Sequence, residues 1–332
     1  MTTQQGGLYR IPEREATANH LYGAVDLGSN TFRLLITRIQ DGHCQPLLKE
    51  MRTVRLGEAL HRTGMISDQA IDRGTKVLTD FKALLDWQQL KAVRVCGTAA
   101  LRMAANSEQF LQQATTILGT GVEVIEGEQE ARLSAIGAFA AMKKEVPQPS
   151  LLTDIGGGSS ELMLTAATQT TPEIVTTVSL PLGAVTLSET FLHGELPATE
   201  ELAAMATHIE SVLDPALTAM RPLPATLLGI GGTATALAAL DCNLSAYDSD
   251  RVQDYRLSLT SLTDMLARLS RLTGKERNQL PGLADGRGEI IIGGLMILIT
   301  LLKRVSCTAL IVSDGGLLEG IALSAAARCG NF

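Results

Sequence analysis

The segment at residues 24–37, AVDLGSNTFRLLIT, recurs 128 residues later at residues 152–165, LTDIGGGSSELMLT, position for position. Asp26 falls on Asp154, Gly28 on Gly156, Leu34 on Leu162 and Thr37 on Thr165. Each copy reads as a strand, an Asp-apolar-Gly turn, small polar residues and a second strand. The spacing is too long for a solenoid repeat. It implies two similar lobes facing each other across a cleft.

The second copy is the more informative of the two. Its three successive glycines, Gly156-Gly157-Gly158, let a backbone approach a ligand closely and turn several N–H groups toward it. Alone, such a run serves equally well as a hairpin turn. Two other glycine turns follow predicted strands, Gly28-Ser29-Asn30 and Gly231-Gly232-Thr233. Together with Gly156-Gly157-Gly158-Ser159 they make three anion-binding concavities, which suits a ligand with several phosphates in a row. Asp26, Asp154 and Glu161 are the carboxylates beside these turns. Oxygen ligands of this kind suit Mg²⁺, which bridges protein carboxylate to substrate phosphate and keeps several waters. An Asp at a strand end also stabilises its own turn, and for Asp26 the two readings stand level.

The rest of the chain fits two α/β lobes. In the first, a strand is expected over 43–55, a capped helix from Ser67 to Leu85, a strand over 92–96 and a helix near Ala99. A helix capped by Asn106 or Ser107, a strand over 122–125 and an alanine-rich helix to about Lys144 complete it. Pro147-Gln148-Pro149 reads as the linker, giving a tail at 1–19, a first lobe at 20–146 and a second at 150–328. In the second lobe, strands are expected over 173–180, 226–230 and 309–312. Helices are expected over 199–220, 234–240, 262–272, 288–303 and 317–328. Alternation of this kind means layered α/β architecture.

Composition narrows the partners. A net charge of −7 argues against broad nucleic-acid backbone binding, and 3% aromatic residues leave few stacking platforms. Five scattered cysteines without a Cys-x-x-Cys spacing read as buried thiols in a reducing compartment. The stretch 1–19 has no apolar signal core, and the apolar run 290–302 is short of the ~20 residues that span a bilayer. A cytoplasmic protein with no membrane partner is the expectation. Neither a Gly-x-x-x-x-Gly-Lys-Ser/Thr loop nor a Gly-x-Ser-x-Gly elbow is present, and the five histidines show no metal-ligand spacing. Glu126, Glu128 and Glu130 open a helix, where the helix dipole alone favours acids. Arg102 is placed to reach a phosphate, though a surface arginine is the default. Arg268, Arg271, Lys275 and Arg277 form a basic stretch, either a solvated helix face or a guide for a polyanion.

In order, the chain carries DLGSNTF from Asp26, GTAALR from Gly97, GEQEARL from Gly127 and DIGGGSSEL from Asp154. Gly231-Gly232-Thr233, LPGL from Leu280 and Ser313-Asp314-Gly315 follow. This ordered set, across roughly residues 20 to 328, closely resembles the exopolyphosphatase / guanosine pentaphosphate phosphohydrolase (Ppx/GppA) family. The resemblance implies two ribonuclease H-like lobes of the actin, sugar kinase and Hsp70 ATPase superfamily with a cleft between them. It implies hydrolysis of the terminal phosphate of polyphosphate with Mg²⁺ or another divalent cation, and in some members a homodimer.

Carried over by residue, the resemblance makes Glu130 the catalytic glutamate, Asp154 and Glu161 the metal and water-positioning acids, and Arg102 a phosphate contact. Glycines and hydroxyls of the three turns (Gly28, Ser29, Asn30; Gly156, Gly157, Gly158, Ser159; Gly231, Gly232, Thr233) are then the phosphate cradle. Gln129-Glu130 stands where the family usually has two glutamates, and Arg287-Gly288-Glu289 where it has Arg-x-Asp. Longer members add a C-terminal helical region, so the expected substrate is short-chain polyphosphate. The alternatives are guanosine pentaphosphate as the substrate in an alarmone pathway, an ATP-dependent kinase on the same fold, and a non-catalytic sensor of guanosine tetraphosphate.

Overall fold

The computed structural model describes residues 20–40, 42–166, 173–283 and 286–330. The expected tail at 1–19 lies outside the described residues. The first half runs β1 (Leu21–Leu27), β2 (Thr31–Gln40), β3 (His43–Thr53), α1 (Leu60–Thr63), α2 (Asp68–Trp87) and β4 (Ala92–Gly97). It continues with α3 (Ala99–Met103), α4 (Ser107–Leu118), β5 (Val122–Val124) and α5 (Gly127–Ala141). The second half holds β6 (Leu151–Ile155), β7 (Ser160–Ala166), β8 (Glu173–Leu180), α6 (Ala184–Phe191), α7 (Thr199–Ala219), β9 (Leu227–Ile230) and α8 (Gly231–Asp241). Then come α9 (Ser249–Val252), β10 (Arg256–Ser258), α10 (Leu259–Leu269), α11 (Gly274–Asn278), α12 (Ile291–Arg304), β11 (Ala309–Val312) and α13 (Leu317–Arg328).

Two sheets result, ordered β3-β2-β1-β4-β5 and β10-β11-β9-β6-β7-β8. In each, a three-strand antiparallel meander is extended by two parallel strands, and in the second sheet β10 closes the edge antiparallel to β11. These are two ribonuclease H-like α/β lobes, and the duplication is visible in the backbone. Gly28 N–H donates to Thr31 O at 3.1 Å in one hairpin, and Gly156 N–H to Ser159 O at 2.9 Å in the other. The register slips between Ile36 and Thr37 in the first sheet and between Leu164 and Thr165 in the second, the corresponding place in both copies.

The pattern of burial explains the elements. All seven residues of β1 are buried, as a strand covered on both faces must be, whereas β3, at the sheet edge, is largely exposed and charged. Ser67 caps α2 by accepting from Ala70 N–H, and Ala70, Ile71, Gly74, Leu78, Phe81 and Leu85 form its buried stripe. Asn106 is spent differently from expectation. It precedes α4, but its amide pairs in both directions with the backbone of Ile66 and gives the helix no side-chain cap. In the second lobe α12 is buried from Ile291 to Leu302, packed against α6, α7 and α10. Among the described residues no helix is long and apolar enough to cross a membrane.

The compact units do not divide at the expected spans. One comprises the chain up to Leu133 together with the chain from Leu317, and the other is Ser134–Gly316. The division falls inside α5, not at Pro147–Pro149, and α13 belongs to the first unit, where it packs on β1, β2 and β4. A charge cluster around one buried arginine fastens it there. Arg94, 4% exposed, donates to Glu123 and to Ser324 of α13, and Arg328 of α13 donates to the same carboxylate. Hydrogen bonds from Arg328 and then Arg94, against the opposing effect of burial, hold the Glu123 carboxyl down at about 2. The basic stretch also resolves. Arg277 is buried, donating to the carbonyls of Leu269, Leu272 and Gly288, so it serves the fold and not a polyanion.

Candidate active site

In the first unit the acids at the start of α5 separate by environment. Glu126 and Glu128 are exposed, while Glu130 is half-buried and accepts from Arg102 Nη1 at 2.9 Å. Arg102 reaches it from the short helix α3, which follows β4 directly. The same nitrogen donates to the carbonyl of Ile125, just before α5 begins. One guanidinium therefore fixes both the entry of α5 and the carboxylate in its first turn, and its remaining N–H groups are donors suited to phosphate oxygens.

The first glycine turn lies beside α3. Ser29 Oγ accepts from Ala100 N–H at 3.2 Å, which leaves the hydroxyl proton to donate elsewhere. Ser29 O accepts from Gly57 N–H, and Asn30 O from Val54 and Arg55 N–H. Because C=O and the following N–H point oppositely across a trans peptide, the Asn30 N–H is turned away from that segment. Asp26 sits behind the turn, 1% exposed, with Arg33 Nε and Nη2 both donating to its Oδ2 at 2.8 and 2.6 Å. Its Oδ1 is buried without a hydrogen-bond partner.

The second unit builds the corresponding turn from different neighbours. The N-terminus of α6 takes up its carbonyls: Ala184 N–H donates to Gly156 O, and Val185 and Thr186 N–H to Gly157 O. The N–H groups of Gly157 and Gly158 are thereby turned outward, and they donate to no other described residue. This contact requires Gly183, where a Cβ would overlap Gly157 O. Asp154 and Glu161 are cross-strand partners in the β6–β7 register, so both carboxylates stand on one face of the sheet. Glu161 Oε1 accepts from Ser159 Oγ at 2.8 Å and Ser179 Oγ at 3.0 Å. The Ser159 hydroxyl thus orients a carboxylate in this structure. Two side-by-side carboxylates match the sparse protein ligation of Mg²⁺, which leaves positions for water and phosphate. Among the described residues no group of three or more His, Cys, Asp and Glu forms a fuller cage.

Gly231 has φ of 75°, a conformation glycine permits, and a Cβ there would overlap Asp154 Oδ1. The chain turns there into α8, whose first-turn N–H groups lack intrahelical acceptors and attract anions. Arg287 overlies Gly232 and donates to its carbonyl. Thr233 differs from its expected role. Its hydroxyl donates to Ile155 O at 2.9 Å, tying α8 to β6, and the side chain is buried. Sequence reasoning missed Tyr247. Its ring is exposed but its hydroxyl donates to Asp314, which also accepts from Ser249 at 2.7 Å. Burial of that hydroxyl, then the Asp314 charge, pushes the phenol above its ordinary value.

The sequence profile of the Ppx/GppA phosphatase family matches residues 35–329. This chain belongs to the Ppx/GppA phosphatase family. Like its relatives, the Ppx/GppA chain is a phosphatase, a hydrolase. It is 33% identical over 317 residues to "Exopolyphosphatase 2" of Mycobacterium tuberculosis, covering 91% of this chain and 98% of that one. A crystal structure of an exopolyphosphatase-like protein superposes with a TM-score of 0.84 at 27% identity, over 94% of this chain and 99% of that one. The Aquifex aeolicus member of the Ppx/GppA family superposes with a TM-score of 0.81 at 30% identity, over 93% and 98%.

Proposed function

We propose that this phosphatase is a cytoplasmic exopolyphosphatase that releases the terminal orthophosphate of short-chain inorganic polyphosphate by Mg²⁺-assisted attack of water. The observation that carries the reading is the Glu130–Arg102 pair at 2.9 Å. It selects one of three neighbouring glutamates, holds it half-buried, and places beside it a guanidinium suited to phosphate oxygens. The likeness to a protein named exopolyphosphatase 2 supports the substrate class.

In the proposed reaction Glu130 orients the attacking water and takes its proton as the new P–O bond forms. The bond to the penultimate phosphate oxygen breaks, roughly in line. A carboxylate is a weak base, so holding the water in place matters more than pulling the proton. Asp154 and Glu161 are the residues that would hold Mg²⁺, with Ser159 and Ser179 keeping Glu161 oriented. Bound there, the cation supplies neutralisation of phosphate charge. In the second unit the outward N–H groups of Gly157 and Gly158 and the start of α8, and in the first unit the Ser29 hydroxyl and the Asn30 N–H, are each the proposed contacts for phosphate. Five free cysteines, two of them buried, suit a reducing compartment.

The test is orthophosphate release with Mg²⁺ from short polyphosphate, long polyphosphate and guanosine pentaphosphate in parallel. The expected ranking puts short polyphosphate first. Release confined to guanosine pentaphosphate would overturn the substrate assignment and keep the phosphatase; no release from any of the three would overturn both.

A further inference from the structure

Among the described residues, five that are not glycine have φ in the left-handed region: Arg55, Ala59, Asn243, Asp254 and Ser306. Asn and Asp tolerate it because their short polar side chains bond locally, and Ala and Ser are small. Arg55, at φ of 53°, has a long side chain and no such relief. Its backbone is nevertheless held at both ends. The N–H donates to Asn30 O at 2.8 Å, and the carbonyl accepts from Glu58 N–H at 3.1 Å and from Arg73 Nη2 at 3.3 Å. Arg73 Nε also donates to Val54 O at 2.8 Å, and the flanking Val54 and Leu56 are fully buried. None of these contacts uses the side chain of Arg55. It is exposed, and it makes no ion pair or side-chain hydrogen bond among the described residues. Asparagine or glycine would back the first glycine turn equally well, so the reason for an arginine lies in its guanidinium.

We propose that Arg55 is a substrate-binding residue, whose guanidinium takes the oxygens of a phosphate held at the first glycine turn. This rests on polyphosphate as the substrate and on the Ser29 hydroxyl and Asn30 N–H as phosphate contacts, as read above. Placement supports it. The Arg55 N–H is bonded to Asn30 O itself, so the side chain starts one bond away from a nitrogen that touches the turn. Its five N–H donors form a fork that matches two phosphate oxygens. The two arginines of this segment then divide the work. Arg73 pins the backbone through Val54 O, Arg55 O and Glu58, and Arg55 stays available to a ligand. Because the backbone is fixed beforehand, less freedom is lost when the contact forms. A contact made alike to bound substrate and transition state sets affinity and not rate.

The experiment measures binding of a short linear polyphosphate by calorimetry in the full-length Glu130→Gln chain, where turnover does not consume the ligand. KM and kcat are measured alongside in the otherwise wild-type chain. Arg55→Asn suits the left-handed backbone and is expected to weaken binding about tenfold, the low end for a charge-assisted hydrogen bond. KM should rise by the same factor with kcat changed less than about twofold, and the loss should shrink with added salt. The variant should melt no lower than its parent, since a strained residue has been relieved. Arg55→Lys keeps the charge without the fork and is expected to fall between the two. Ala59→Gly relieves the other left-handed residue of the segment and is expected to leave binding unchanged. Binding by Arg55→Asn within about twofold of the parent, a lower melting temperature in that variant, or an equal loss in Ala59→Gly would overturn the proposal while leaving polyphosphate as the ligand. No binding by the parent chain would remove the polyphosphate reading, and the role of Arg55 with it.

Discussion

The first unit manages its charge with arginine: Asp26 with Arg33, Glu130 with Arg102, Glu123 with Arg94 and Arg328. In the second, the corresponding strand end sets Asp154 opposite Glu161, and serines hold Glu161 in place. A duplicated backbone has thus been given two electrostatic characters. One copy sets a carboxylate against a guanidinium across the strands, the other a carboxylate against a carboxylate. The copies keep the turn and the register slip while most side chains differ, among them the residue opposite the aspartate, Arg33 in one and Glu161 in the other.

The largest expected effect comes from changing the matched aspartates. Asp154→Asn is expected to lower Mg²⁺-dependent turnover by about 100-fold, on the order of losing an electrostatic transition-state contact. Asp26→Asn is expected to act mainly on stability, by stranding the charge of Arg33. Steady-state kinetics across a Mg²⁺ series, with urea denaturation of both variants, separates the two. Equal losses of turnover with equal cation dependence would erase the comparison.

Smaller effects follow from how each glycine turn is backed. In the first copy the carbonyls are taken by the segment around Val54 and Gly57, in the second by the start of α6. Gly183→Ala places a Cβ into Gly157 O and is expected to destabilise the second unit by about 1–3 kcal/mol, as overpacking does. Denaturation in urea with and without Mg²⁺ measures it. Gly158→Ala has open space and serves as the mild control.

The arginine-rich unit carries a pH signature of its own. The Glu123 carboxyl is held down at about 2, below the ordinary value of 4.5, so its contribution is present above 4.5 and is lost as pH falls toward 2. Glu123 is partly exposed, and solvent screening limits the contribution to about 1 kcal/mol. Glu123→Gln should lower stability by that amount at neutral pH, with the difference shrinking between pH 4.5 and 2. A difference independent of pH would mean that the docking of α13 owes nothing to this cluster.

The duplicated hairpins were legible because their signals are local: an apolar strand, an Asp-apolar-Gly turn, a second strand. Asp154 and Glu161 come together for the same reason, since a tight hairpin fixes which residues face each other across it. Glu130 needed more than local information. The helix dipole favours all three glutamates alike, and only the contact with Arg102, 28 positions earlier, distinguishes one. Long-range features stayed hidden. Nothing near Leu317 announces that α13 crosses back to the first sheet, and a basic run cannot show that Arg277 points inward to three carbonyls. Thr233 follows a glycine turn as a phosphate ligand would, yet its hydroxyl is committed to Ile155 O on a neighbouring strand.

The most direct test of the central claim is orthophosphate release from short polyphosphate with Mg²⁺, comparing the wild type with Glu130→Gln. Glutamine keeps the size and polarity of the side chain but cannot take a proton. The account predicts steady release by the wild type and a fall of two or more orders of magnitude in the variant, the scale of a general-base contribution, with the fold unchanged by circular dichroism. Near-normal release by Glu130→Gln would contradict it.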